Sequence, residues 1–357
     1  MSICRRQFLL GTAAGIGALS TSFSAFSNNK IGVALLGLGY YSTDILAPAL
    51  SYTEHCELRG IITGSPAKVP RWQKKYGIPD KNVYTYETMS AIADNDSIDV
   101  VYVVTPTATH LRFATMAALA GKHVWCEKPM AMTVNECQQM IDVCQQNKVK
   151  LSIGYRMQHE PSTRAFAELS HTKPFGDLTG MSVFAGYPGG PGSESNWRMI
   201  PEMGGGALYD MGVYAINGAR FISGLEPQSV SAKIEKTKGF KWVDATTYFT
   251  MKFKNGLEAK CGTSVVKGFN YLRANCASGW YELKPMQSYS GVVGRTSDGL
   301  VLPSFSGNQQ AQQMDNDALA IKLNKPVFVP GEEGLQDIRV VEGAFKSARN
   351  NGELITL

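Results

Sequence analysis

Residues 30–42 read Lys30-Ile31-Gly32-Val33-Ala34-Leu35-Leu36-Gly37-Leu38-Gly39-Tyr40-Tyr41-Ser42. The apolar run Ile31 to Leu36 has the length and content of a strand buried on both faces, as in a parallel sheet. It runs directly into a G-x-G-x-x-S loop, and Thr43 to Leu50 is helix-like. Gly37 permits a tight turn, and Gly39 leaves room for a pyrophosphate against the backbone. Tyr40 and Tyr41 flank it, and the helix N-terminus offers amide donors. Ser42 stands where a third glycine is usual and is small enough for close helix–strand packing. The loop alone is a weak signal. Between a strand and a helix it becomes a dinucleotide-binding signal.

The alternation continues outward. Strands are expected at Glu57 to Thr63, Val100 to Val104, Lys122 to Cys126 and Lys150 to Ile153. Helices are expected at Pro66 to Tyr76, Leu111 to Ala120 and Val134 to Gln146. This order implies an α/β Rossmann domain with a parallel sheet, over residues 28–153. After Pro161 the pattern changes. Thr179 to Tyr187, Gln228 to Lys236, Thr246 to Phe253, Gly256 to Val265 and Tyr271 to Ala277 read as strands, with Asn255-Gly256 as a hairpin turn. An α+β domain with a large, mostly antiparallel open sheet is expected over 154–357. The stretch from Gly154 to Pro161 is expected to form the cleft floor. Pro188 to Gly192 reads as a loop, and Gly204 to Gly206 as a close backbone approach.

The end of the second strand bears on cofactor choice. An NAD site usually carries Asp or Glu there. Here Thr63, Ser65 and Lys68 offer hydroxyls and a positive charge instead, which suits the 2′-phosphate of NADP.

The whole chain has 357 residues, 44% hydrophobic and 18% charged, which are globular proportions. Net charge is +5 and no run of five basic residues occurs, so charge does not point to nucleic acid. Met1 to Ser27 has Arg5-Arg6 followed by Gln7-Phe8-Leu9 and a mildly apolar stretch. That reads as a twin-arginine signal peptide over 1–27, giving a periplasmic protein with no stable membrane span after cleavage. Removing it deletes two basic residues and no acid, so the charge falls from +5 to +3. Folding before export leaves Cys56, Cys126, Cys137, Cys144, Cys261 and Cys276 as reduced core thiols. His55, His123, His159 and His171 pair with no Cys or carboxylate at ligand spacing, so no metal is expected.

The strand ending at Cys126 continues Glu127-Lys128-Pro129. In a Rossmann domain this resembles the signature of the Gfo/Idh/MocA oxidoreductase family. Gly154-Tyr155-Arg156, Asn196-Trp197-Arg198, Asp210-Met211-Gly212-Val213-Tyr214 and Gly331 to Asp337 extend the resemblance over nearly the whole mature chain. Tyr214 stands where many members have His. In this the sequence is most similar to the glucose–fructose oxidoreductase branch, which includes dihydrodiol dehydrogenase and NADP-dependent xylose dehydrogenase. The Pro-rich arm that clasps a neighbouring subunit in part of that branch has no counterpart between Asn28 and Lys30.

The resemblance implies an NADP-dependent oxidation of an aldose at C1 to the lactone, with reduction of a second sugar by the same bound cofactor. It implies Tyr214 as acid/base, Lys128 as its cationic partner and Asp210 as holder of a sugar hydroxyl. A phenol is a weak base at neutral pH, and a nearby ammonium favours its phenolate. The resemblance also places Tyr86, Thr105, Pro106, His110, Glu127, Arg156, Trp197 and Arg198 near cofactor or sugar, and implies a homodimer or homotetramer through the second sheet. Two other readings stay open. One is an aldose or dihydrodiol dehydrogenase with exchangeable NADP. The other is an exported glycosidase that uses NAD as a transient oxidant.

Overall fold

The computed structural model describes residues 30–302 and 304–357. The expected export signal lies outside them. Ile31–Leu36 forms β1, buried at all six positions, because helices cover a parallel sheet on both faces. The sheet is completed by β2 (Cys56–Ile62), β3 (Val83–Tyr84), β4 (Val100–Val103), β5 (His123–Cys126) and β6 (Leu151–Ile153). Its order is β3-β2-β1-β4-β5-β6 and every pairing is parallel. The chain winds outward from β1 to β3, then returns to place β4 on the other side of β1. Ligands bind at such a reversal, outside the carboxyl ends of the strands. The Gly37–Gly39 loop leaves β1 there and Thr105-Pro106 leaves β4 there.

The helix after the loop begins earlier than its pattern suggests, with a π turn at Tyr41–Leu46 running into α1 (Ala47–Leu50). The layer also contains α2 (Val69–Tyr76), α3 (His110–Leu119) and α4 (Val134–Gln146). The Thr133 side chain caps α4 by accepting from the Glu136 amide.

The chain then passes through α5 (Arg156–His159) and α6 (Pro161–Thr172) into β7 (Leu178–Gly186). After α7 (Val213–Ser223) come β8 (Pro227–Glu235), β9 (Thr246–Phe253), β10 (Glu258–Ser264) and β11 (Asn270–Cys276). These lie within about two residues of the expected strands, and Gly256 turns the β9–β10 hairpin at φ +81°. Four short strands were not legible in the pattern: β12 (Gly279–Leu283), β13 (Gly294–Thr296), β14 (Val301–Leu302) and β15 (Ile355–Thr356). The sheet has nine strands in the order β14-β13-β12-β11-β7-β10-β9-β8-β15. Only the β7–β10 pair is parallel.

Two expectations are corrected. The helix α8 (Gln309–Lys322) falls in the stretch read as the second domain, yet it packs on the first sheet. Ala311, Met314 and Ala318 share a core with Val33, Leu35, Tyr102 and Trp125. Their spacing makes one apolar stripe, which a pattern cannot assign to either sheet. The stretch from Gly154 to Pro161 is not a cleft floor, because α5 within it is buried behind the cleft. The last helix, α9 (Gly331–Arg349), covers β8 and joins α7 through a buried ion cluster. Arg220 reaches Asp337 at 2.6 Å and Glu226 at 2.7 Å. The six cysteines among the described residues are free, five of them buried. No helix among the described residues is long and apolar enough to cross a membrane.

Candidate active site

Asp210 and Tyr214 lie four residues apart across a π turn, Leu208–Gly212, that runs into α7. That spacing places both on one helical face. Asp244 anchors the turn, accepting from the Leu208 amide at 2.9 Å and from Thr247 Oγ1 at 2.6 Å. Gly205 lets the Trp197–Met199 loop close onto this turn, since a Cβ there would lie 2.6 Å from the Arg198 carbonyl oxygen.

Lys128 arrives from the end of β5. Its Nζ donates to the Asp210 carbonyl at 2.7 Å, lies 3.7 Å from Asp210 Oδ1, and stands 4.5 Å from the Tyr214 ring centroid. Arg198 Nε is 3.4 Å from Asp210 Oδ2, and the Tyr187 hydroxyl donates to the same oxygen at 3.5 Å. Lys128, Asp210 and Tyr214 are largely buried, so their charges act with little screening by water. They share a cleft of about 690 Å³ with Gly39, Tyr40, Tyr41, Glu127, Trp197 and Arg198. A groove of about 1100 Å³ elsewhere contains none of the three.

Glu127 is buried at the cleft wall. Desolvation pushes its carboxyl up to about 7, opposed by the Tyr102 hydroxyl, which donates to Oε1 at 2.7 Å. Gln313 Nε2 donates in turn to Tyr102 at 3.0 Å.

The dinucleotide fit can be read from the loop itself. Gly37 sits at φ +93°, where a Cβ would come 2.5 Å from the Val104 carbonyl oxygen. A Cβ on Gly39 would meet nothing within 4 Å, so the backbone there faces open space of the kind a pyrophosphate needs. Beside the loop, Thr63 Oγ1 accepts from the Ser65 amide at 3.0 Å, and Lys68 Nζ donates to the Leu38 carbonyl at 2.7 Å. The Tyr86 ring lies against Gly64 and stacks at a tilt on Phe113, 4.6 Å between centroids. Thr63, Ser65, Lys68 and Tyr86 thus gather beside the loop and do not line the cleft of Lys128 and Tyr214.

Two sequence assignments change. His110 is 1% exposed, with Nδ1 at 2.9 Å from the Pro129 carbonyl and Nε2 at 2.8 Å from the Thr105 carbonyl. It ties the Thr105-Pro106 loop to the Lys128-Pro129 turn from behind and does not face the cleft. Arg156 is also 1% exposed and backs Tyr214, its guanidinium 5.6 Å from that ring. Both were drawn from motif position, which carries no depth information. Conversely, Tyr187, Met211, Asn270 and Gln287 to Tyr289 line the cleft without having been singled out. Met211 lies inside the Asp210 to Tyr214 string; the others come from loops and strand ends of the second sheet, where no local motif marks them. Among the described residues no group of three or more His, Cys, Asp or Glu could hold a metal.

Residues 31–155 match the Gfo/Idh/MocA oxidoreductase family, NAD-binding Rossmann fold, and residues 163–282 match the Gfo/Idh/MocA C-terminal domain. The structure is similar to aldose-aldose oxidoreductase from Caulobacter crescentus, with a TM-score of 0.87 and 34% identity, over 92% of this chain and 100% of that one. The sequence is 24% identical to D-xylose 1-dehydrogenase [NADP(+)] of Haloarcula marismortui over 90% of this chain and 92% of that protein. It is 25% identical to D-xylose 1-dehydrogenase (NADP(+)) 2 of Haloferax volcanii over 88% and 96%. With a Gly-loop at the β1/β4 reversal and Lys128, Asp210 and Tyr214 gathered beside it, this chain belongs to the Gfo/Idh/MocA oxidoreductase family.

Proposed function

We propose that the chain is an exported, NADP-dependent sugar oxidoreductase that oxidises an aldose at C1 to the lactone and reduces a second sugar with the same nucleotide. The observation that carries this reading is Lys128 Nζ standing between Asp210 and the Tyr214 ring in the cleft that the Gly37–Gly39 loop opens into. The similarity to an aldose-aldose oxidoreductase and to NADP-dependent xylose dehydrogenases supports the substrate class and the cofactor. Thr63, Ser65 and Lys68 supply the polar edge for a 2′-phosphate.

In this reading Tyr214 takes the proton of the sugar C1 hydroxyl, and Lys128 orients that oxygen and stabilises negative charge on it. Asp210, held by Lys128, Arg198 and Tyr187, accepts a neighbouring sugar hydroxyl. Nicotinamide, when bound, supplies the redox step by taking and returning hydride. For the second sugar Tyr214 returns the proton to the carbonyl oxygen. Residues 1–27 carry the export part of the proposal. A second copy docks on the open face of the nine-stranded sheet. Its support is the partly exposed aromatic row there: Phe184 stacks on Tyr271 at 5.1 Å, and Phe269 bridges Phe184 and Tyr248.

The test is to purify the protein, denature a sample, and identify any nucleotide released. The native protein is then incubated with glucose and fructose without added cofactor. Lactone and sorbitol in equal amounts support the proposal. Glycoside hydrolysis without either product refutes it.

A further inference from the structure

Gln287, Ser288 and Tyr289 lie between β12 and β13, in the second sheet, yet they line the same cleft as Gly39, Tyr40 and Tyr41. The Tyr289 and Tyr41 rings meet with centroids 6.1 Å apart. Gln310 Nε2, on α8, donates to the Tyr41 hydroxyl at 3.4 Å. The segment is therefore an opposing wall for the Gly-loop, reaching it across the cleft.

What holds that wall is a buried arginine. Arg156 donates from Nη1 to the Ser288 carbonyl at 3.0 Å and to Gln309 Oε1, and from Nη2 to Gln287 Oε1 at 3.3 Å. Its guanidinium lies 4.8 Å from the Tyr289 ring centroid. Asn270 Oδ1 pins the near end by accepting from the Met286 and Gln287 amides at 2.9 and 3.0 Å. Arg156 forms no salt bridge among the described residues, and its Nε has no hydrogen-bond partner. Burying a cation whose direct hydrogen-bond acceptors are all neutral is costly, and the buried Glu127 carboxyl acts on it only through space. A loop that merely joined two strands would not need it. A positive charge held behind a cleft that accepts a polyanionic dinucleotide gains a direct attraction beyond the one Glu127 supplies from a distance.

We propose that Gln287–Tyr289 is a clasp that closes over the dinucleotide, with Arg156 as its anchor and the Tyr41–Tyr289 pair as its latch. A nucleotide bound along the Gly37–Gly39 loop then leaves only when Tyr289 swings away. The clasp keeps one nucleotide through successive oxidation and reduction. This inference rests on the reading of the loop as an NADP site.

The test measures nucleotide release, not turnover. Wild type, Tyr289→Gly, Arg156→Lys and the control Tyr52→Ala are loaded with NADPH, and its loss is followed by fluorescence after mixing with excess NADP. Tyr52 is 68% exposed and lies outside the catalytic cleft. The wild type and Tyr52→Ala are expected to release slowly and alike. Tyr289→Gly is expected to release at least about ten-fold faster, equivalent to about 1.4 kcal/mol off the barrier. Arg156→Lys keeps the charge but loses the fork, and should fall between them. Tyr289 is 44% exposed, so its variant folds and carries the test even if Arg156→Lys does not. Release from Tyr289→Gly within about two-fold of wild type overturns the clasp. That result leaves the sugar chemistry of Lys128 and Tyr214 standing. Slow release from a wild type that oxidises no sugar supports the clasp and refutes the proposed function.

Discussion

Asp317 provides a quantitative test of how α8 is seated. Its carboxyl is fully buried between α8 and the first sheet, with the Ser152 hydroxyl beside it. Neither carboxyl oxygen forms a hydrogen bond of ordinary geometry. Desolvation pushes its pKa from 3.8 up to about 7. An acid whose folded pKa is raised favours the folded state most below the unfolded pKa. That contribution is then lost as pH climbs to the folded pKa. Between about pH 4 and pH 7 the unfolded chain has released this proton and the folded one has not, so each pH unit costs about 1.4 kcal/mol. The whole interval amounts to about 4 kcal/mol, constant above pH 7. Asp317→Asn keeps the shape and removes the titration. Urea midpoints and slopes of both proteins, measured from pH 4 to pH 8, are expected to diverge steadily. The variant should gain little at pH 4 and up to about 4 kcal/mol at pH 8. Parallel curves across that range would refute the placement of an ionisable, unpartnered carboxyl under α8.

Tyr214→Phe keeps the ring beside Lys128 and removes the proton carrier, so sugar oxidation should fall about 10²- to 10⁴-fold while nucleotide retention is unchanged. Equal turnover would remove Tyr214 from the chemistry. Lys68→Glu places an acid where the loop expects a 2′-phosphate, and titrations should show NADP affinity dropping more than NAD affinity. Arg220→Met leaves Asp337 buried without its cation and should cost about 3–5 kcal/mol in urea unfolding. The loss should shrink as pH falls toward about 6 and stay level below it, because burial raises Asp337 to about 6 even with Arg220 holding it down, and without Arg220 it takes up its proton above that value.

Much of the fold follows from periodicity alone. The run Ile31 to Leu36 has to be buried on both faces, and the glycines after it have to turn, so β1 and its loop were legible without neighbours. The same holds for α4, expected and found at Val134–Gln146. Lys128, Asp210 and Tyr214 were legible because each sits in a recognisable local string. Depth was not legible: His110 and Arg156 occupy the expected strings yet lie behind the cleft, tying loops together. Nor were Tyr187, Asn270 and Tyr289, which reach the site only because β7, β11 and the β12–β13 connection converge on it.

The stretch 30–42 by itself determined that this chain begins its described fold with a dinucleotide loop, because strand, turn and helix signals are local and their order is covalent. Whether Lys128 would stand over Tyr214, 86 residues away, was settled only by packing the end of β5 against α7. The return of α8 to the first sheet and the Arg156-held wall opposite Tyr41 were settled in the same way. These depend on which apolar stripe meets which face, and on where buried polar groups find partners. Both are properties of the assembled core and not of any one segment.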